Sequence, residues 1–134
     1  MVKTHWKGKM SFVAETADGK IVPMDVPGTE GAAGASPKLL LIVGLTGCTG
    51  MDTVSILEKM KVSDYGLRIE ADYHATEEHP KIYDRIHLRY YFHFTEDPPK
   101  DKVSKAVELS QTKYCGVSAM LRKAAEITYE ILYE

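Results

Sequence analysis

Residues 36–60 read SPKLLLIVGLTGCTGMDTVSILEKM. Ser36 is a good helix cap and Pro37 suits a first helical turn. Leu39, Leu40, Leu41, Ile42, Val43 and Leu45 leave the first half without a polar side, so it is expected to be buried all round. The second half turns amphipathic. Val54, Ile56, Leu57 and Met60 recur at helical spacing, with Asp52, Glu58 and Lys59 between them. One continuous helix of this length would run roughly 36 Å, about the diameter of a small domain. Cys48 sits in its middle, flanked by Gly47, Thr49 and Gly50. A thiol in a collar of small residues on such a helix is either a tight packing crossover or a reactive site.

Working outward, the segments on both sides read as strands. Phe12, Ala14 and Thr16 alternate with Val13 and Glu15, and Val22, Met24 and Val26 alternate with Pro23 and Asp25. Asp18-Gly19 between these runs is a strong hairpin signal. Pro23 confines its strand to a sheet edge or a bulge, and Trp6 with Gly8 predicts an earlier strand that bends before Met10. Residues 27–35, PGTEGAAGA, read as a connector of small residues, or as a flap beside the thiol helix. Residues 66–95 carry the cleanest pattern. Leu67, Ile69, Ala71, Tyr73 and Ala75 share one face, as do Ile82, Ile86, Leu88, Tyr90, Phe92 and Phe94 after a turn at residues 77–81. Only Asp84 breaks the apolar face. Strict period two predicts an antiparallel ribbon with one buried and one wet face. His74, His87 and His93 fall on the wet sides, as sheet residues rather than metal ligands. Asp97 is expected to cap the next helix, whose inner stripe is Val103, Ala106, Val107, Ser110 and Tyr114. Gly116 should interrupt it, a short helix should follow through Arg122 and Lys123 to about Ala125, and the alternation of Ile127, Tyr129 and Ile131 favours a last strand.

The chain has 134 residues, 44% of them hydrophobic, which predicts one folded domain spanning residues 1–134. A net charge of −2 gives no ground for nucleic acid or anionic membranes as partners. The longest apolar run stops at Gly44, short of a membrane span, and MVKTHWKGK has no apolar signal region, so a cytoplasmic location is expected. Two cysteines 67 positions apart form neither a zinc-finger nor a CxxC spacing. No cofactor motif stands in a supporting context. The spacing predicts no metal site and leaves two readings for the thiols: inert core residues or a reactive pair.

Only about 3% of a free thiol is ionised near pH 7, so a nucleophilic cysteine needs a cation, a helix N-terminus or a base beside it. Cys115 precedes a predicted helix and can lie at its positive end. Cys48 is mid-helix and needs a cation from elsewhere; Lys7, Lys9 and Lys38 are the local candidates. Two cysteines suffice for a peroxidatic and resolving pair.

The order of these segments carries a resemblance. A strand-rich start is followed by a Gly-rich loop, by Ser-Pro-x-Leu-Leu-Leu running into Gly-Cys-Thr-Gly-Met-Asp, by a polar ribbon with Glu-Glu-His-Pro, and by Lys-Tyr-Cys-x-Val-Ser-Ala-Met-Leu. From about Trp6 to Tyr133 the chain resembles the OsmC-like branch of the OsmC/Ohr family. The resemblance implies an α+β fold, with antiparallel sheets wrapped around long central helices, and an intertwined homodimer with active sites at the subunit interface. It implies a cysteine-based peroxidase that reduces organic hydroperoxides at the expense of a dithiol, without a cofactor. Cys48 then matches the peroxidatic and Cys115 the resolving cysteine. The arginine that active members draw from the N-terminal strands is replaced: the first 67 residues hold none, and Lys9 stands roughly in its place. Their glutamate at the start of the thiol helix falls near Lys38. A lysine is a point charge without the guanidinium fork. The alternative on the same scaffold is a non-peroxidatic protein that binds a small hydrophobic or thiol-bearing ligand at the dimer interface.

Overall fold

The computed structural model describes all of residues 1–134. It divides into two compact units, Met1–Val43 and Gly44–Glu134. The first holds an antiparallel sheet of β1 (Lys3–Gly8), β2 (Ser11–Glu15) and β3 (Ile21–Met24), in that spatial order. The Asp18-Gly19 hairpin forms as read, closed by Thr16 N–H donating to Lys20 O at 3.0 Å, with Gly19 at φ 80°. Pro23 lies on the edge strand, where its missing N–H costs no ladder bond. The bend after Trp6 is a bulge between Trp6 and Gly8, with Gly8 and Lys9 both at positive φ. Residues 27–35 are not a loose connector. The Asp25 carboxylate, nearly buried, accepts hydrogen bonds from the amides of Ala33 and Gly34 at 3.0 and 2.9 Å and ties the loop back to β3. A Cβ at Gly34 would run into the Pro23 carbonyl, so only glycine fits there.

The helix α1 spans Leu39–Lys59 and crosses from one unit into the other. Ser36 caps it, its Oγ accepting from Leu39 N–H at 3.3 Å. Lys61 at φ 63° ends it, with Val62 N–H donating back to Leu57 O. The expectation of burial all round does not hold. Ile42, Leu45, Thr49, Thr53 and Leu57, at steps of three and four, form the one buried stripe, while Leu41 and Val43 are half exposed. Apolar composition says that a face is to be covered; only the packing partners decide whether this chain covers it. By length and composition α1 is long and apolar enough to cross a membrane, which no apolar run in the sequence had suggested. Its buried stripe carries two threonines: Thr49 is hydrogen-bonded to Tyr90 and Ser110 of the second unit, and Thr53 donates back to the Thr49 carbonyl, as in a core helix.

In the second unit, β4 (Tyr65–Ala75) and β5 (Tyr83–Phe94) pair antiparallel, with Leu67 opposite Phe92, Ile69 opposite Tyr90 and Ala71 opposite Leu88. Asp84 is the extra residue of a bulge: His74 pairs with Arg85, but Ala75 pairs with Tyr83. The slip turns Tyr83 inward and lets Asp84 meet His74 at 2.7 Å on the wet side, which explains the break in the alternation. His87 and His93 also stay on the polar side, bonded to Thr128 and to the Glu134 carbonyl. The last strand, β6 (Glu126–Tyr133), joins β5 in parallel, so this sheet is mixed. Parallel pairing requires a crossover, here α2 (Lys100–Leu109), one π-helical turn (Ser110–Tyr114) and α3 (Gly116–Leu121). Asp97 does not cap α2; the N-cap is Pro99, without a side-chain hydrogen bond. With Pro98 and Pro99 following it, Asp97 would face a prolyl nitrogen that has no hydrogen to donate. The core gathers Ile86, Leu88, Tyr90 and Phe92 of β5 with Leu45 and Leu57 of α1 and Val103 and Val107 of α2. Each such side chain contributes about 1.5–3 kcal/mol by leaving water.

Candidate thiol site

The π turn brings the second cysteine in. An ordinary helix would have continued the inner stripe to Tyr114, but the i→i+5 bond from Cys115 N–H to Ser110 O, 2.8 Å, widens the turn by one residue. Gln111 and Cys115 face inward and Tyr114 is left about half exposed. The helix breaks at Cys115 itself, whose backbone is extended at φ −73°, ψ 100°, rather than at Gly116, which opens α3. Cys115 is the N-cap of α3, and its Sγ accepts from Ser118 N–H at 3.3 Å.

Cys48 and Asp52 lie one turn apart on α1 and therefore on one face. Cys48 Sγ, Cys115 Sγ and a carboxylate oxygen of Asp52 all lie within 4.8 Å of one another. Cys115 is buried, while Cys48 and Asp52 are partly open to solvent. Both sulfurs are free thiols. Burial is the main cause that pushes the Cys48 thiol up; its hydrogen bond to Cys115, the Cys115 charge and the Asp52 carboxylate push the same way, and a hydrogen bond from the Val117 amide opposes them. The Cys115 and Asp52 charges beside Cys48 are anionic, the reverse of what an activated thiolate requires. Lys9 sits in the first unit, in the turn between β1 and β2, where its carbonyl accepts from Trp6 Nε1 at 2.8 Å.

Behind the thiols runs a buried polar network that the periodicity did not announce. Thr49 Oγ1 is 2.6 Å from the Tyr90 hydroxyl and 2.8 Å from Ser110 Oγ. Gln111 Nε2 donates to both Thr49 Oγ1 and Tyr90 Oη, at 3.0 and 2.9 Å. Arg122 grips Gln111 in turn, through Nη1 to the carbonyl at 2.6 Å and Nη2 to Oε1 at 2.8 Å. Ser110 Oγ also reaches Asp52 Oδ2 at 3.2 Å, which links the network to the thiol cluster. Burial, opposed by the hydrogen bonds with Thr49 and Gln111, pushes the Tyr90 phenol up to about 12, so it stays neutral.

Between α1 and β4, on a face of the helix turned away from Cys48, a groove of about 460 Å³ is lined by Thr46, Gly47, Gly50, Met51 and Val54 of α1 and by Leu67 and Ile69 of β4. Gly50 lets the strand come close: a Cβ there would meet Ile69 Cδ1 at 3.2 Å. The helical cysteine, the second cysteine at a broken helix and the mixed sheet around them define an α+β thiol protein of the OsmC/Ohr type. The comparisons agree. The family model for OsmC-like proteins matches residues 28–130, and the chain belongs to that family. It is 34% identical over 133 residues to Protein YhfA of Escherichia coli K12, a match that covers 97% of this chain and 96% of that protein. A hypothetical protein from Aquifex aeolicus has a similar structure, with TM-score 0.82 and 27% identity over 100% of this chain and 96% of that one. The organic hydroperoxide resistance protein OhrB of Bacillus subtilis shares the fold at TM-score 0.64 and 16% identity, over 98% and 97% of the two chains.

Proposed function

We propose that the protein is a thiol-dependent organic hydroperoxide reductase acting through Cys48 and Cys115. The observation that carries this reading is the convergence of the two sulfurs from residues 67 positions apart in sequence. The Cys48 thiolate attacks the terminal oxygen of the hydroperoxide. The O–O bond breaks, an alcohol leaves after taking a proton, and Cys48 becomes a sulfenic acid. Cys115 then attacks the Cys48 sulfur, water leaves, and a disulfide forms. A dithiol restores both thiols by exchange. Lys9, in the place of the family's arginine, is assigned the role of thiolate stabiliser. The family match runs through both units, which supports reading residues 1–134 as one domain. The outward apolar residues of α1, Leu41, Val43, Met51 and Val54, support a homodimer, and free thiols support a reducing cytoplasm.

Stopped-flow mixing with cumene hydroperoxide tests the proposal. Wild type should lose two thiols per turnover, Cys115→Ser should stop at a sulfenic acid, and Cys48→Ser should consume no peroxide. Oxidation of Cys48 no faster than that of a free thiol would reject it.

The second reading, a non-peroxidatic protein that binds a small hydrophobic or thiol-bearing ligand at the dimer interface, is favoured by the groove between α1 and β4. Its volume falls in the range of small-molecule sites, and Asp52 suppresses the thiolate that the first reading needs. Native mass spectrometry of freshly purified protein would show a bound mass under this reading and an empty chain under the first.

A further inference from the structure

We propose that Cys48, Asp52 and Cys115 form a binding site for Zn²⁺. The inference goes beyond the peroxidase reading and does not depend on it. Two sulfurs and one carboxylate oxygen, contributed by α1 and by the start of α3, already lie within 4.8 Å of one another. Tetrahedral zinc holds thiolates at about 2.3 Å and carboxylate oxygens at about 2.0–2.2 Å, which sets neighbouring donors roughly 3.5–3.8 Å apart. Small side-chain rotations close that difference. The pair of soft thiolates favours zinc over magnesium or calcium, and three protein ligands leave a fourth position for water. Cys48 and Asp52 are partly exposed, so that position opens to solvent.

The surroundings resemble those of a ligand set. Ser110 Oγ donates to Asp52 Oδ2, the Val117 amide donates to Cys48, and the Ser118 amide donates to Cys115 Sγ, so each ligand is oriented by a second group. These donors are neutral and do not offset the three negative charges that the deprotonated ligands bring together. A divalent cation offsets two of the three. Ser118 Oγ, fully buried in the same capping turn, has no hydrogen-bond partner of its own. Binding replaces two S–H bonds by two Zn–S bonds and releases two protons, with no change of oxidation state. A Cys48–Cys115 disulfide would remove both thiolates, so zinc and oxidation exclude each other at this site.

The test is a titration of reduced, metal-free full chain with Zn²⁺ against a chromophoric chelator. One zinc should bind per chain, with two protons released into weak buffer. Cys48→Ser and Cys115→Ser should each weaken binding by at least about 100-fold, and Asp52→Asn by at least about tenfold, since even outer partners of a zinc ligand are worth 10–100-fold. Co²⁺ loaded into the wild type should show thiolate-to-cobalt charge-transfer absorption, a readout that needs no variant to fold. Weak or substoichiometric binding, a cobalt spectrum without thiolate bands, or unchanged affinity in both cysteine variants would overturn the proposal. The last of these would move the metal to surface histidines such as His74 and His87. Peroxide turnover is measured separately on metal-free protein, so failure of either idea leaves the other standing.

Discussion

Replacing Asp52 with asparagine removes one negative charge from beside the Cys48 sulfur while keeping an oxygen for Ser110 Oγ to donate to. The carboxylate oxygen lies no more than 4.8 Å from that sulfur. At this distance two like unit charges repel by about 0.9 kcal/mol even under the full screening of water, and by more where the protein excludes it. Near pH 7 the thiol is mostly protonated, so relief of this repulsion should raise the thiolate population about fourfold, at 1.4 kcal/mol per decade. The assay is alkylation of reduced protein by iodoacetamide, with Cys48 quantified by peptide mass spectrometry across a pH series. Asp52→Asn should alkylate Cys48 about four times faster near neutral pH and converge with wild type at high pH, where both are ionised. A rate that is unchanged, or slower, would refute the electrostatic account of this site. If the faster variant also turned over peroxide faster, Asp52 would act as a brake on the cysteine.

Two further outcomes follow from other parts of the molecule. Tyr90 holds its proton up to about 12 when folded, against about 10 when unfolded. Its contribution to stability is therefore complete below about pH 10 and lost as pH rises toward 12. Denaturation midpoints of Tyr90→Phe should fall less steeply than those of wild type over that interval; parallel declines would remove Tyr90 from the account. Burial also pushes up Tyr65, Tyr83 and Tyr133, so part of the slope should survive the substitution. In the first unit, Gly34→Ala drives a methyl into the Pro23 carbonyl and should cost at least about 1–3 kcal/mol in chemical denaturation, because backbone must move. A loss within about 0.5 kcal/mol, the range of ordinary surface changes, would show that the loop is not held as described.

Much of this architecture was legible because it rests on short-range pattern. The strict alternation of residues 67–75 and 86–94 could be satisfied only by a half-buried ribbon, and Asp18-Gly19 only by a hairpin. Ser36 announced the start of α1, and the two cysteine segments announced the family. What stayed hidden depends on choices made between segments. Asp52 read as a polar spacer, because nothing local says that a second thiol will arrive opposite it. Thr49, Tyr90 and Gln111 each look ordinary until α1, β5 and the π turn meet. Leu41 and Val43 look like core by composition, yet both are left half exposed. Arg122 looks like one more exposed charge on the expected short helix. Its fork on Gln111 becomes visible only once the widened turn points that glutamine inward.

That widened turn makes the site a matter of chain length as much as of chemistry. Straightening the turn to the ordinary four-residue hydrogen-bond spacing with every residue kept would put Tyr114 where Cys115 now sits and swing the cysteine by about 100° around the helix axis. The sulfur now facing Cys48 would rotate away, with no change in the composition of either cysteine motif. Among relatives, those with one residue fewer between Val107 and the second cysteine should therefore bring the two thiols together through an ordinary turn, and those with the same count only through a widened one.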